Sequence, residues 1–292
     1  MTIEWAWLSG QRRTAAAVKE ISLPGGGAGY VLLFHGLTGS PAELAYVAYH
    51  LHHRDGYTVW CPPLVNHGQP LGVLARTRWQ EIEHGARACF DRAREESAAA
   101  RLPLYVGGLS LGAVLSLILA AEYSPEMGAA ICLAPTLFYD GWNVPWSHRL
   151  IPAVSYTPIR HFAYFREEPP FGLKDESLRR RVARQFGAIS VRDADCGGES
   201  GYAHFPVNLF CEIRHLFSKC IRRLERVTCP VLLVQSVHDD ITGPRNSKFI
   251  HDNVGSRVKE IVLLENSYHL VTVDLEREKV AQSVSRFCRA VR

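Results

Sequence analysis

Leu104-Tyr105-Val106-Gly107-Gly108-Leu109-Ser110-Leu111-Gly112 is the stretch on which the fold turns. Leu104 to Gly108 is a short apolar run of strand length. Leu111 to Glu122 is a run of strong helix formers. Between them, Gly108-Leu109-Ser110-Leu111-Gly112 matches the pattern Gly-x-Ser-x-Gly. The pattern alone is weak, and an ordinary glycine-rich turn with a capping serine would share its letters. Its place at a strand-to-helix junction gives it weight, because a nucleophile elbow needs that junction. Glycines at 108 and 112 spare so tight a turn the collisions that larger side chains would make. Such a turn pushes the Ser110 hydroxyl out of the sheet edge, at the start of a helix.

Outward from this junction, strands and helices alternate. Tyr30 to Phe34 reads as a buried strand, and 41–54 as a helix with Ser40 as cap and Pro41 in its first turn. Tyr57 to Trp60 is a short strand, 78–98 a helix and Ala129 to Leu133 a strand. Near the C-terminus come strand Val231 to Gln235, a helix at about 244–253, strand Val258 to Leu264 and helix Asp274 to Val291. This order predicts an α/β fold, a mostly parallel, doubly wound sheet covered by helices on both faces. Between Pro135 and Val227 the rhythm stops, and aromatics and prolines accumulate. The expected organisation is therefore a core of 1–134 and 228–292, with 135–227 as an inserted helical cap.

Composition excludes several classes of function. The chain has 292 residues, 47% of them hydrophobic and 21% charged, enough for a sizeable core. A net charge of +4 is too weak to point to nucleic acid. The arginines at 179, 180, 181 and 184 read as a solvated helix face. No apolar run reaches the length of a membrane span, and the N-terminal residues lack the layout of a secretion signal. The eight cysteines show no Cys-x-x-Cys pair and read as reduced thiols of a cytoplasmic protein. The histidines at 50, 52 and 53 lack a cysteine or acid at ligand spacing, so no metal is expected. The early glycines lack the lysine and spacing of a phosphate cradle.

A serine hydroxyl becomes a nucleophile only when a base takes its proton, and that base needs a carboxylate to orient it. His238-Asp239-Asp240-Ile241-Thr242 follows the strand at 231–235, and Ser267-Tyr268-His269 follows the last strand. Together with Leu33-Phe34-His35-Gly36-Leu37-Thr38-Gly39-Ser40 and the Ser110 motif, these stretches resemble the α/β-hydrolase superfamily. Within it the chain resembles the serine carboxylesterase and monoacylglycerol-lipase-like group. The likeness spans 30–134 and 228–292. It implies Ser110 as nucleophile, His269 as general base and Asp239 as the acid that orients it. Asp240 is the rival; the group's acid stands two residues before a β-branched apolar residue, here Ile241, which selects Asp239. Asp240 is then expected to point away from His269. The resemblance also implies an oxyanion hole from the backbone N–H groups of Leu37 and Leu111, with His35 supporting the loop. Where the group often has Gly-His-Gly, this chain has Asn66-His67-Gly68, so His67 reads as a structural loop histidine.

The implied reaction is hydrolysis of a small apolar acyl ester, monoglyceride- or lysophospholipid-like, without a cofactor. Thioester hydrolysis or acyl transfer would use the same groups, and a non-catalytic ligand-binding relative would keep the fold. Phe138, Trp142, Trp146, Phe162 and Phe165 are the candidate pocket aromatics. Oligomeric state is not legible.

Overall fold

The computed structural model describes residues 3–5, 18–187 and 201–292. Its strands are β1 (Ile3–Trp5), β2 (Ile21–Leu23), β3 (Tyr30–Phe34), β4 (Thr58–Cys61), β5 (Leu104–Leu109), β6 (Ala129–Leu133), β7 (Ala163–Arg166), β8 (His204–Pro206), β9 (Val231–Ser236) and β10 (Lys259–Leu264). The α-helices are α1 (Ala45–Asp55), α2 (Leu71–Leu74), α3 (Trp79–Ala99), α4 (Leu111–Tyr123), α5 (Ile151–Val154), α6 (Glu176–Gly187), α7 (Val207–Ile221), α8 (Arg245–Asn253) and α9 (Arg277–Ala290).

Seven strands form one sheet in the order β10-β9-β6-β5-β3-β4-β2. Every pairing is parallel except that of β2 with β4. β3, β5, β6 and β9 are buried at every position, which is why they read as unbroken apolar runs: helices cover both faces of a parallel sheet. On one face, Ile82, Ala86 and Phe90 of α3 join α4 and Ile213, Leu216 and Phe217 of α7 in one core. On the other, Val47, Ala48 and Leu51 of α1 meet Val280, Val284 and Phe287 of α9. α4 is buried from Leu111 through Ala120, consistent with a helix apolar on all sides.

Three features depart from the sequence reading. β2 adds a short antiparallel edge strand that the sequence reading did not include. The last helix begins at Arg277, not Asp274. The Asp274 carboxylate instead accepts from the backbone N–H groups of Lys174, Asp175 and Tyr268, tying its own loop to the one before α6. Segment 135–227 is also not purely helical. It supplies β7 and β8, which with β1 make a separate three-stranded antiparallel sheet. Strands of three or four residues are too short for alternation to reveal, and β1 pairs far along the chain.

The seven described cysteines are unpaired thiols, buried except for the half-buried Cys89; Cys196 lies outside the described residues. Among the described residues no helix is long and apolar enough to cross a membrane. In α6, Arg180, Arg181 and Arg184 are exposed.

Candidate active site

β3, β5, β6, β9 and β10 all end at one edge of the sheet, the edge where ligands bind in folds of this kind. Ser110 is the single residue between β5 and α4. Its φ of 55° and ψ of −110° are sparsely populated for a side-chain-bearing residue. The surroundings hold it there. Ser110 N–H donates to Leu133 O of β6 at 2.8 Å. A Cβ on Gly108 or Gly112 would stand 2.2 or 2.0 Å from Phe34 O, so only glycine permits β3 to pass so close.

His269 lies on the loop after β10 and is 5% exposed. Its Nδ1 is 2.9 Å from Asp239 Oδ2 and 3.1 Å from Oδ1. Asp239 is itself fixed: Oδ1 accepts from the N–H groups of Ile241 and Thr242, and Oδ2 from Gln235 Nε2. Burial pulls the His269 imidazole toward its neutral form. Asp239 outweighs it, with help from Asp240 and Glu43, and the pKa ends above the ordinary histidine value.

Asp240 does not point away from this histidine, contrary to expectation. Its Oδ1 accepts from the His269 backbone N–H at 3.2 Å, and its side chain lines the pocket. The two aspartates thus serve different atoms of one residue. Burial pushes the Asp240 carboxyl up to about 6, His269 offsetting part of the rise and Asp239 adding to it.

Ser110 and His269 line the same cavity, of about 240 Å³. Among the described residues, however, the Ser110 hydroxyl is hydrogen-bonded to Thr136 Oγ1, at 3.0 Å, and not to His269. Thr136 is 2% exposed, on the loop after β6, and nothing in the sequence marked it. Hydrogen bonds of this kind are often loose or misdirected in unliganded sites.

The loop Gly36-Leu37-Thr38-Gly39 forms another wall, with His35 buried behind it. His35 Nε2 accepts from Leu64 N–H, which leaves Nδ1 to donate to Gly36 O at 2.8 Å. Burial holds this imidazole neutral. His67 packs edge-on to His35 and bonds Leu37 O, a structural place in the loop. Leu37 lines the cavity, and Leu111, as the first residue of α4, has no acceptor within its own helix for its N–H.

Segment 135–227 is bonded to three of the loops around this cavity. Gly141 N–H and Asn143 N–H donate to Ile241 O and Asp240 O, Leu270 N–H to Gly172 O, and Tyr202 N–H to Thr38 O. Of the five candidate pocket aromatics, only Phe165 lines the cavity. Phe138 packs edge-on against Phe249, beneath Arg245. Trp142 is 59% exposed, with its indole N–H on His238 O, and Trp146 is 75% exposed. Phe162 sits half-buried in the turn before β7. The aromatic wall comes instead from Tyr139, Phe171, Phe186, Tyr202, Phe205 and Phe210. Phe210 is its hub, with ring centroids 5.7–5.9 Å from those of Tyr139, Phe165 and Phe205. Three of these rings lie on α7 or the strands beside it, which the sequence reading left without a boundary.

The family described as serine aminopeptidase, S33, matches residues 27–276. The chain belongs to that family. This serine hydrolase is 25% identical over 257 residues to a thermostable monoacylglycerol lipase of Bacillus sp. (strain H-257), covering 88% of this chain and 89% of the other. It is equally similar to a carboxylesterase of Bacillus subtilis (strain 168), 25% identical over 266 residues, with 90% and 93% covered. Among solved structures, one from the metagenome-derived lipolytic enzymes LipS and LipT superposes with a TM-score of 0.78 at 24% identity, covering 95% of this chain and all of that one. A soluble variant of the Saccharomyces cerevisiae monoglyceride lipase superposes with a TM-score of 0.76 at 15% identity, with 93% and 91% covered. The fold of this serine hydrolase is the α/β-hydrolase fold.

Proposed function

We propose that the protein hydrolyses carboxylic esters of short or medium acyl chains through an acyl-serine intermediate, with 135–227 as the cap over the site. The observation that carries this reading is the Asp239 carboxylate seated on His269 Nδ1 in the cavity that Ser110 lines from its strained turn. With Nδ1–H donating to Asp239, Nε2 is left as the free base. Rotation about the Ser110 Cα–Cβ bond swings Oγ from Thr136 toward Nε2. His269 takes the proton as Oγ attacks the ester carbonyl. The N–H groups of Leu37 and Leu111 then receive the negative charge on the carbonyl oxygen, each donor typically contributing ~2.7–4 kcal/mol of transition-state stabilisation. The imidazolium, stabilised by Asp239, returns its proton to the leaving alcohol. Water repeats the sequence to release the acid.

Ester rather than peptide chemistry is supported by the aromatic wall and by relatives matched over about nine-tenths of the chain. A monoglyceride- or lysophospholipid-like ester fits a cavity with an apolar wall and a polar base. The unpaired thiols support a cytoplasmic setting.

The test is a fluorophosphonate label together with nitrophenyl esters of increasing chain length, set against acyl-coenzyme A analogues. Labelling and ester turnover are the expected result. Turnover confined to the thioesters would replace the ester reading, and absence of labelling would remove catalysis altogether. In the same panel, Phe165→Ala and Phe210→Ala should shift chain-length preference more than they change the rate of labelling by a small phosphonate. Trp146→Ala, altering an exposed ring, should leave both unchanged.

A further inference from the structure

Glu43 lines the cavity from the short helical turn Pro41–Leu44, directly after the loop that carries Leu37. Its Oε2 accepts from Gly36 N–H at 3.1 Å, one residue before Leu37. A Cβ on Gly39 would fall 2.0 Å from Oε1, and one on Gly36 would fall 3.3 Å from Oε2, so the carboxyl is wedged beneath the loop. Among the described residues no lysine or arginine pairs with it. Burying a carboxyl without a cation costs stability, which its hydrogen bond to Gly36 N–H offsets only in part. Resting on the Ser110–His269 reading above, we propose that Glu43 is a positioning residue with two tasks: it anchors the oxyanion loop through Gly36 N–H and sets a further negative charge beside His269.

The groups acting on His269 are Asp239 and Asp240 from the loop after β9, and Glu43 from the turn after β3. His148, Glu167 and Glu168 line the same cavity from segment 135–227. Burial lifts the Glu43 carboxyl to about 7, while Gly36 N–H and His269 pull it down. Glu43 and His269 therefore titrate as a coupled pair, each charge favouring the other, and the acid limb of activity belongs to the pair. Negative charge on Glu43 favours the imidazolium, which helps the transition state but blocks the base at low pH.

The experiment is the pH profile of kcat/KM on a soluble nitrophenyl ester for wild type, Glu43→Gln and Glu43→Ala, with thermal melting as the folding control. Glutamine keeps an acceptor for Gly36 N–H and removes the charge. Its acid limb should move down by roughly 0.5–1 pH unit, less than a full close charge would give because Glu43, lifted to about 7, is partly protonated there. Its plateau kcat should fall roughly threefold to tenfold, the same shift read as a rate. Alanine should show the same displaced limb and a further loss of kcat as the loop loosens, with little change in KM. A Glu43→Gln enzyme with the wild-type limb would overturn the proposal while leaving the Ser110–His269 reading intact. So would two variants that fail to fold, since the carboxyl would then be structural. A wild-type protein that a fluorophosphonate does not label would overturn both.

Discussion

Ser110→Ala is expected to reduce ester hydrolysis by about 10⁵–10⁶-fold, since the members of such a triad act as a unit. Stability should hardly change. Among the described residues the Ser110 hydroxyl makes one side-chain hydrogen bond, to Thr136, and Thr136 keeps a weaker contact with Ala134 O at 3.4 Å. A neutral hydrogen bond of this kind contributes only about 1 kcal/mol. The backbone bond from Ser110 N–H to Leu133 O does not involve the hydroxyl. Initial rates and a thermal melt on one preparation check both halves. A variant that keeps a tenth of its activity at wild-type stability would end the serine-hydrolase mechanism proposed for this site.

The second large effect is expected from Asp239→Asn, on the order of 10⁴ in turnover. The surroundings of the carboxylate explain why. Oδ1 already accepts two backbone N–H groups, from Ile241 and Thr242, so an asparagine must put its oxygen there. Its NH₂ group then faces Gln235 Nε2 and His269 Nδ1, where Oδ2 was the acceptor. A donor opposite Nδ1 drives the imidazole proton to Nε2, and the ring can no longer take a proton from Ser110. Asp240→Asn should cost far less. Its Oδ1 serves the His269 backbone N–H, and asparagine offers an oxygen for the same bond. Parallel kcat measurements on the two variants decide the assignment, and a reversed order would move the acid role to Asp240.

The sheet was legible in the sequence because its strands are buried on both faces. Tyr30–Phe34, Ala129–Leu133 and Val231–Ser236 need no partner to be recognised as unbroken apolar runs. The strand, Ser110, helix order and the placement of Asp239 and His269 after the last two strands then place the candidate groups at one sheet edge, because parallel strands end on the same side. Those inferences need only local pattern and chain order. The segment between residues 135 and 227 offered neither. There the direction of each ring is set by what it packs against: α7 and its neighbouring strands turn Phe165, Phe205 and Phe210 inward, while Trp142 and Trp146 are left in solvent. Asp239 and Asp240 are adjacent in the chain, and only the close approach of the loops after β9 and β10 gives one the imidazole and the other the backbone N–H. Thr136 and Glu43 belong to no motif. Each matters through one polar contact made after folding, Thr136 with Ser110 across two neighbouring strand ends and Glu43 with Gly36 beneath its own loop. Periodicity and motif report how a segment buries itself, whereas the partner of a single polar atom is fixed only when distant loops are brought to the same edge.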